Sequence, residues 1–164
     1  MNGTGEKAAC KPAPVFRRAL PAEATALSEI AFAAKQFWGY PDDWMAGWRG
    51  ELTLTPDYIR TSPVWVAELG GETAGFFGLR RADNLWHLEH LWLRPAWIGK
   101  GLGRALFAEA VRQARSAGAA ELQIRSDPQA ESFYLKMGAV RTGLEVYQLL
   151  GKFPREVPHL TCQL

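Results

Sequence analysis

The chain has 164 residues, 48% of them apolar and 22% charged, an ordinary globular composition with room for one domain around a hydrophobic core. A formal net charge of +2 supplies no basic field of the kind nucleic-acid binding uses, and no apolar run approaches the about 20 residues of a membrane span. The expectation is a cytoplasmic protein with no nucleic-acid or membrane partner. Cys10 and Cys162 lie near opposite ends, outside any C-x-x-C or metal-ligand spacing. They read as free thiols in a reducing compartment, with a disulfide joining the termini as the alternative. No metal site is expected.

Residues 1–13 lack periodicity and read as a disordered leader, and 14–164 as the single folded domain. Val15–Leu20 is a first strand. Pro21–Lys35 is a helix with Leu27, Ile30, Ala31 and Ala34 at helical spacing. Phe37-Trp38-Gly39-Tyr40-Pro41 ends it, Asp42 or Asp43 caps a second helix, and Thr55-Pro56 starts a third with Thr as N-cap. The period then changes to that of strands. Val64–Leu69 and Thr73–Leu79 flank the hairpin signal Gly70-Gly71, and a second turn at Arg81–Asn84 leads into Leu85–Leu93. A helix over Gly103–Ala117, a strand over Glu121–Arg125, a short helix over Ala130–Lys136 and strands over Ala139–Leu149 and Val157–Leu164 complete the chain. The order implies a mixed α/β sheet.

Gly99-Lys100-Gly101-Leu102-Gly103-Arg104 carries the clearest chemistry. Its three glycines let the backbone approach a ligand closely, and the turn opens directly into a helix whose free N–H groups and dipole attract an anion. Lys100 and Arg104 add positive charge, so a diphosphate is the natural guest. A tight strand-to-helix turn with no ligand is the plain alternative. A Walker A run is absent, and Gly101–Leu106 ends in Leu where a dinucleotide fingerprint requires Gly or Ala.

Leu88–Pro95 together with Gly99–Leu106 resembles the central motif of the GNAT superfamily of N-acetyltransferases, with signature [QR]-x-x-G-x-[GA]. Asp127–Ala139, D-P-Q-A-E-S-F-Y-L-K-M-G-A, resembles that family's second motif, N-x-x-A-x-x-F-Y-x-K-x-G-F. Two motifs in order are more specific than either alone. Two departures stand out: Ile98 occupies the Gln/Arg position, and Asp127 the Asn position.

The resemblance implies a central mixed sheet of about seven strands with about four helices, and transfer of an acetyl group from acetyl-CoA to a primary amine in a ternary complex. It implies that the Leu91, Trp92 and Leu93 backbone pairs with the pantetheine arm and stabilises the tetrahedral oxyanion. Ile98, Gly99, Lys100, Gly101, Leu102, Gly103 and Arg104 would hold the diphosphate, with Asp127, Ser132 and Phe133 as further cofactor contacts. Tyr134 matches the general acid; its alternative is a core aromatic beside Phe133. His87 and Glu89, two apart on one strand, share a face and are the candidate bases, while His90 is expected on the opposite face as a packed histidine. Trp38 and Tyr40, in an aromatic segment with Trp44 and Trp48, are candidate acceptor contacts. The same rings could simply fill the core. Family members often dimerise, which leaves room for a homodimer. A non-catalytic acyl-CoA sensor on the same fold and a nucleoside-phosphate protein are the rival readings.

Overall fold

The computed structural model describes residues 12–164, so Cys10 and most of the expected leader lie outside the described residues. Seven strands form one sheet: β1 (Val15–Arg18), β2 (Val64–Leu69), β3 (Glu72–Ala82), β4 (Leu85–Leu93), β5 (Glu121–Arg125), β6 (Val140–Leu149) and β7 (Phe153–Gln163), in the spatial order β1-β2-β3-β4-β5-β7-β6. Every neighbouring pair is antiparallel except β4 and β5, which are parallel. A parallel pair needs a long crossover, and the turn and helix after β4 supply it.

Among the described residues five helices accompany the sheet: α1 (Ala24–Gln36), α2 (Asp42–Leu52), α3 (Pro56–Thr61), α4 (Leu102–Ser116) and α5 (Glu131–Lys136). A 3₁₀ turn at Pro21–Glu23 precedes α1, because Pro21 at its first position fixes φ while Glu23 accepts a bond from the Leu20 N–H. Thr55 caps α3 as its sequence predicts, its hydroxyl accepting the Tyr58 N–H at 3.1 Å. Helix α2 begins at Asp42 with Pro41 as N-cap, so neither aspartate is the N-cap residue, although Asp43 Oδ1 accepts the Trp44 N–H at 3.0 Å within the first turn.

The sheet separates two cores. Leu102, Leu106, Phe107, Ala110 and Ala114 of α4 pack with Phe77, Leu88, Leu122 and Leu160 on one face. Leu27, Ile30, Met45, Trp48 and Ile59 of α1–α3 pack with Val64, Val66 and Phe76 on the other. Each fully buried Leu, Ile or Phe contributes on the order of 2 kcal/mol of hydrophobic stabilisation, which fixes the helices on their faces. Cys162 is a free thiol buried in the first core. Among the described residues no helix is long and apolar enough to cross a membrane, and no three His, Cys, Asp or Glu side chains gather as a metal site would need.

Candidate active site

The parallel pairing of β4 with β5 covers only Trp86, His87 and Leu88, although β4 continues to Leu93. The β5-side backbone of residues 89–93 therefore has no strand partner. A cleft of about 470 Å³ opens where the pairing stops. Its walls include His87, Glu89, His90 and Trp92 of β4, Gln123 and Arg125 of β5, Asp127, Arg155 of β7, and Lys35, Trp48 and Tyr58 of the helices.

A bulge sets which β4 side chains enter this cleft. Gly78 pairs with His90, whereas the next residue, Leu79, pairs with Leu88, so Glu89 is an extra residue in β4. The bulge resets the alternation of faces. His87, Glu89, His90 and Trp92 all line the cleft, while Leu91 and Leu93 pack with the α4-side core, to which Leu88 also belongs where it borders the cleft. The expectation that His90 faces the opposite side is thus corrected, because strict alternation fails at the bulge. His90 is packed as expected: its ring lies 5.5 Å from Tyr58 and 5.9 Å from Phe76. Its Nδ1 accepts the Trp92 indole N–H at 3.1 Å, and burial pushes its pKa down to about 4, so the ring is neutral. At Gly78 a Cβ would stand 2.9 Å from the Tyr58 hydroxyl and 3.2 Å from the His90 ring, so only glycine leaves room for both.

Glu89 is held from two sides. The Tyr58 hydroxyl donates to Oε2 at 2.8 Å and the Arg80 Nε–H donates to Oε1. Burial, and then Glu89 itself, raise the Tyr58 pKa far above the usual phenol range, so Tyr58 is a fixed donor. Half-buried His87 enters the same cleft. Tyr134 lies in the α4-side core, its ring 5.7 Å from Phe107 and 5.1 Å from Phe133. Burial, with the Asp127 charge as the second cause, raises its pKa above the ordinary value and keeps it protonated.

The Gly-rich turn forms as expected. A 3₁₀ turn over Pro95–Trp97 leads through half-buried Ile98 to Gly101, which takes φ +87° as N-cap of α4 and offers no side chain to the helix. The first intrahelical bond runs from Ala105 N–H to Gly101 C=O. The N–H groups of Leu102, Gly103 and Arg104 precede it and point out of the helix end. Lys100 and Arg104 are exposed beside them. Ser132 is exposed, and Phe133 packs within reach of a Cβ placed at Gly103.

The two candidate acceptor residues sit differently. Trp38 packs edge-on against Phe37 at 5.9 Å and does not line the cleft. Tyr40 turns its hydroxyl to Asp127, donating at 2.8 Å. Its ring, with Trp44 and Trp48, surrounds the Arg155 guanidinium, whose Cζ lies 4.9 Å from the Tyr40 and Trp48 centroids and 5.5 Å from Trp44. Lys35 Nζ sits 4.0 Å from the Trp48 ring. The aromatic cage is filled by cations of the chain itself. Asp127, expected to touch cofactor, instead accepts from Lys35 Nζ at 2.5 Å, from Tyr40, and from the Gln129 N–H at 2.8 Å. Burial opposes its charge, yet Lys35 holds its pKa below the ordinary carboxylate value.

Sequence reasoning missed Lys35, Tyr58, Arg80 and Arg155. None belongs to a motif: Lys35, Tyr58 and Arg155 come from elements outside both, and Arg80 from the strand that pairs with β4. The one available signal was the Thr55 cap, which orients Tyr58.

Residues 54–149 match the model of the acetyltransferase (GNAT) domain, more than half of the chain. The chain belongs to the GNAT acetyltransferase family. It is 30% identical over 147 residues to the aminoglycoside N(6')-acetyltransferase type 1 of Stenotrophomonas maltophilia, covering 82% of this chain and 92% of that protein. Among solved structures, a GCN5-related N-acetyltransferase from Rhodopseudomonas palustris superposes with a TM-score of 0.80 at 21% identity, over 94% of this chain and 98% of that one. The PaiA N-acetyltransferase of Thermoplasma acidophilum, solved with coenzyme A, gives a TM-score of 0.72 at 20% identity, over 93% and 99%. The GNAT fold and an acetyltransferase activity are therefore shown for this chain.

Proposed function

We propose that this GNAT enzyme transfers the acetyl group of acetyl-CoA directly to a primary amine of a small molecule, both substrates meeting in the cleft beside β4. One observation carries the reading: on its β5 side β4 runs without a strand partner past Leu88, toward a glycine turn whose N–H groups precede the first helical bond. The free strand edge suits the amides of a pantetheine arm, and the α4 N-terminus with Lys100 and Arg104 suits its diphosphate. Leu91, Trp92 and Leu93 offer the backbone, Ile98 to Arg104 the diphosphate cradle, and Ser132 and Phe133 flank it. Asp127 leaves that set, since its oxygens serve Lys35, Tyr40 and Gln129.

In this reading the amine nitrogen bonds to the thioester carbonyl carbon, the carbon–sulfur bond breaks, and the amine's proton passes to Glu89. Each Glu89 oxygen keeps a lone pair beyond its bond to Tyr58 or Arg80, so the proton arrives directly or through one water, with His87 the second candidate. Tyr134 donates to the departing sulfur. A phenol held above its ordinary range acts first as a hydrogen-bond donor and yields its proton only as thiolate charge develops. A small-molecule acceptor is supported by the aminoglycoside enzyme among the relatives.

The test is free-thiol release from acetyl-CoA across an amine panel, repeated with Tyr134→Phe. Wild type should turn over at least one amine. The variant should lose about 100-fold in kcat with acetyl-CoA affinity unchanged. Unchanged kcat would remove Tyr134 from the chemistry. Acetyl-CoA binding with no turnover on any amine would favour the sensor reading.

A further inference from the structure

At the wall of the cleft, Lys35, Asp127 and Arg155 meet with side-chain exposures of 10%, 7% and 9%. Two cations there face one carboxylate. Asp127 bonds Lys35 at 2.5 Å but reaches Arg155 only at 3.4 Å. The remaining Arg155 bond, from Nη2 to the Tyr40 hydroxyl, is also long, at 3.3 Å. Arg155 Nε is fully buried and has no partner among the described residues.

A buried guanidinium is normally saturated, because an unpartnered charged donor costs several kcal/mol once water is removed. Here the aromatic rings of Tyr40, Trp44 and Trp48 hold the guanidinium in place, but they accept little of its hydrogen bonding. Burial, opposed by Asp127 and reinforced by Arg155, lowers the Lys35 pKa, the direction expected where positive charge lacks counter-charge. Glu51 also lines the cleft and its charge favours protonated Lys35, but it is exposed and forms no ion pair with Lys35 or Arg155.

We propose that the acceptor bears a carboxylate as well as its amine, the carboxylate binding the Lys35–Arg155 wall and the amine facing Glu89 and His87. A guanidinium's planar donors match a carboxylate better than any neutral group. The same wall repels a polycation, so it selects against an acceptor of aminoglycoside charge. This deepens the acetyl-transfer reading and rests on it.

The probes are the standard L-amino acids, the carboxamide of each, and kanamycin, assayed with acetyl-CoA by free-thiol release, while a thermal-shift titration follows acetyl-CoA binding. The best free acid should exceed its own carboxamide by about 10- to 100-fold in kcat/KM. Arg155→Gln should erase that ratio while acetyl-CoA binding persists. Should Arg155→Gln fail to fold, Lys35→Gln is read for the same loss, and the wild-type acid-to-amide ratio stands alone as the criterion. Equal rates on acid and carboxamide, turnover of kanamycin alone, or acetyl-CoA binding without turnover of any acid would each overturn the proposal. Absence of acetyl-CoA binding would instead overturn the acetyl-transfer reading beneath it.

Discussion

The turn before α4 and the cleft wall formed by α1, α2 and β7 are built differently. The turn offers chiefly backbone: Gly101 at φ +87° and N–H groups ahead of the first helical bond, with exposed Lys100 and Arg104 beside them. At the wall, side chains bond one another, Asp127 joining Lys35, Tyr40 and Arg155 while three aromatic rings enclose the guanidinium. A backbone site needs only a local run of residues of the right conformation. A side-chain site needs residues brought from distant parts of the chain, and it can be retuned without touching the turn. The first therefore suits a ligand shared across a family, and the second a ligand peculiar to one member.

Substitutions can break that contrast, and the largest effect is expected between the two regions, at Glu89. Glu89→Gln should lower kcat by about 100-fold and leave acetyl-CoA affinity intact, since it removes a proton acceptor and no part of the turn. Steady-state kinetics beside equilibrium acetyl-CoA binding checks this, and an unchanged kcat would shift the role of base to His87. At the turn, Gly101→Val forces a β-branched residue into left-handed backbone at a cost of about 1–2 kcal/mol, so acetyl-CoA affinity should fall about tenfold. Among the described residues, no atom beyond the adjoining backbone and chain neighbours lies within 4 Å of a Cβ there, so the loss reports backbone conformation and ligand approach rather than a clash in the core.

A smaller effect is expected at Tyr58. Tyr58→Phe removes one hydrogen bond to Glu89 while Arg80 remains, so kcat should drop about fivefold and its pH profile should move. A kcat loss without a displaced profile would make Tyr58 a packing residue only.

The mildest prediction concerns pH. His90 is held neutral with its pKa near 4, below the roughly 6.5 of an unfolded chain. Between those values the unfolded chain binds the extra proton, so stability declines as pH falls from about 6.5 toward 4. Asp127 and Glu145, whose pKa values lie below the ordinary carboxylate range, lose their stabilisation only at lower pH, as they protonate. Thermal midpoints measured from pH 7 to 4.5 should fall less steeply for His90→Phe than for wild type, and identical slopes would contradict the neutral, buried ring.

The same contrast explains what could be read in the sequence. Strand and helix order, the Thr55 cap, the hairpin turns and the α4 glycine turn all follow from short-range periodicity and backbone preference, and each is present. The face of His90 was misread because the bulge at Glu89 arises from pairing with β3, and nothing in Leu85–Leu93 itself marks an extra residue. Tyr40 lies in the aromatic cluster that the sequence marks, but its hydrogen-bond partners are not legible there. Its partners, Asp127 and Arg155, stand 87 and 115 residues away, beyond the reach of any local pattern.

The account rests on acetyl-CoA occupying the open edge of β4 and the turn before α4. Thermal-shift titration with acetyl-CoA, CoA, ATP and NAD at matched concentrations tests this most directly, because a ligand that binds only the native state raises the midpoint by mass action. The account predicts a rise with acetyl-CoA and CoA, none with ATP or NAD, and a rise sharply reduced in Gly101→Val. Equal shifts from all four ligands, or a full acetyl-CoA shift in Gly101→Val, would contradict it.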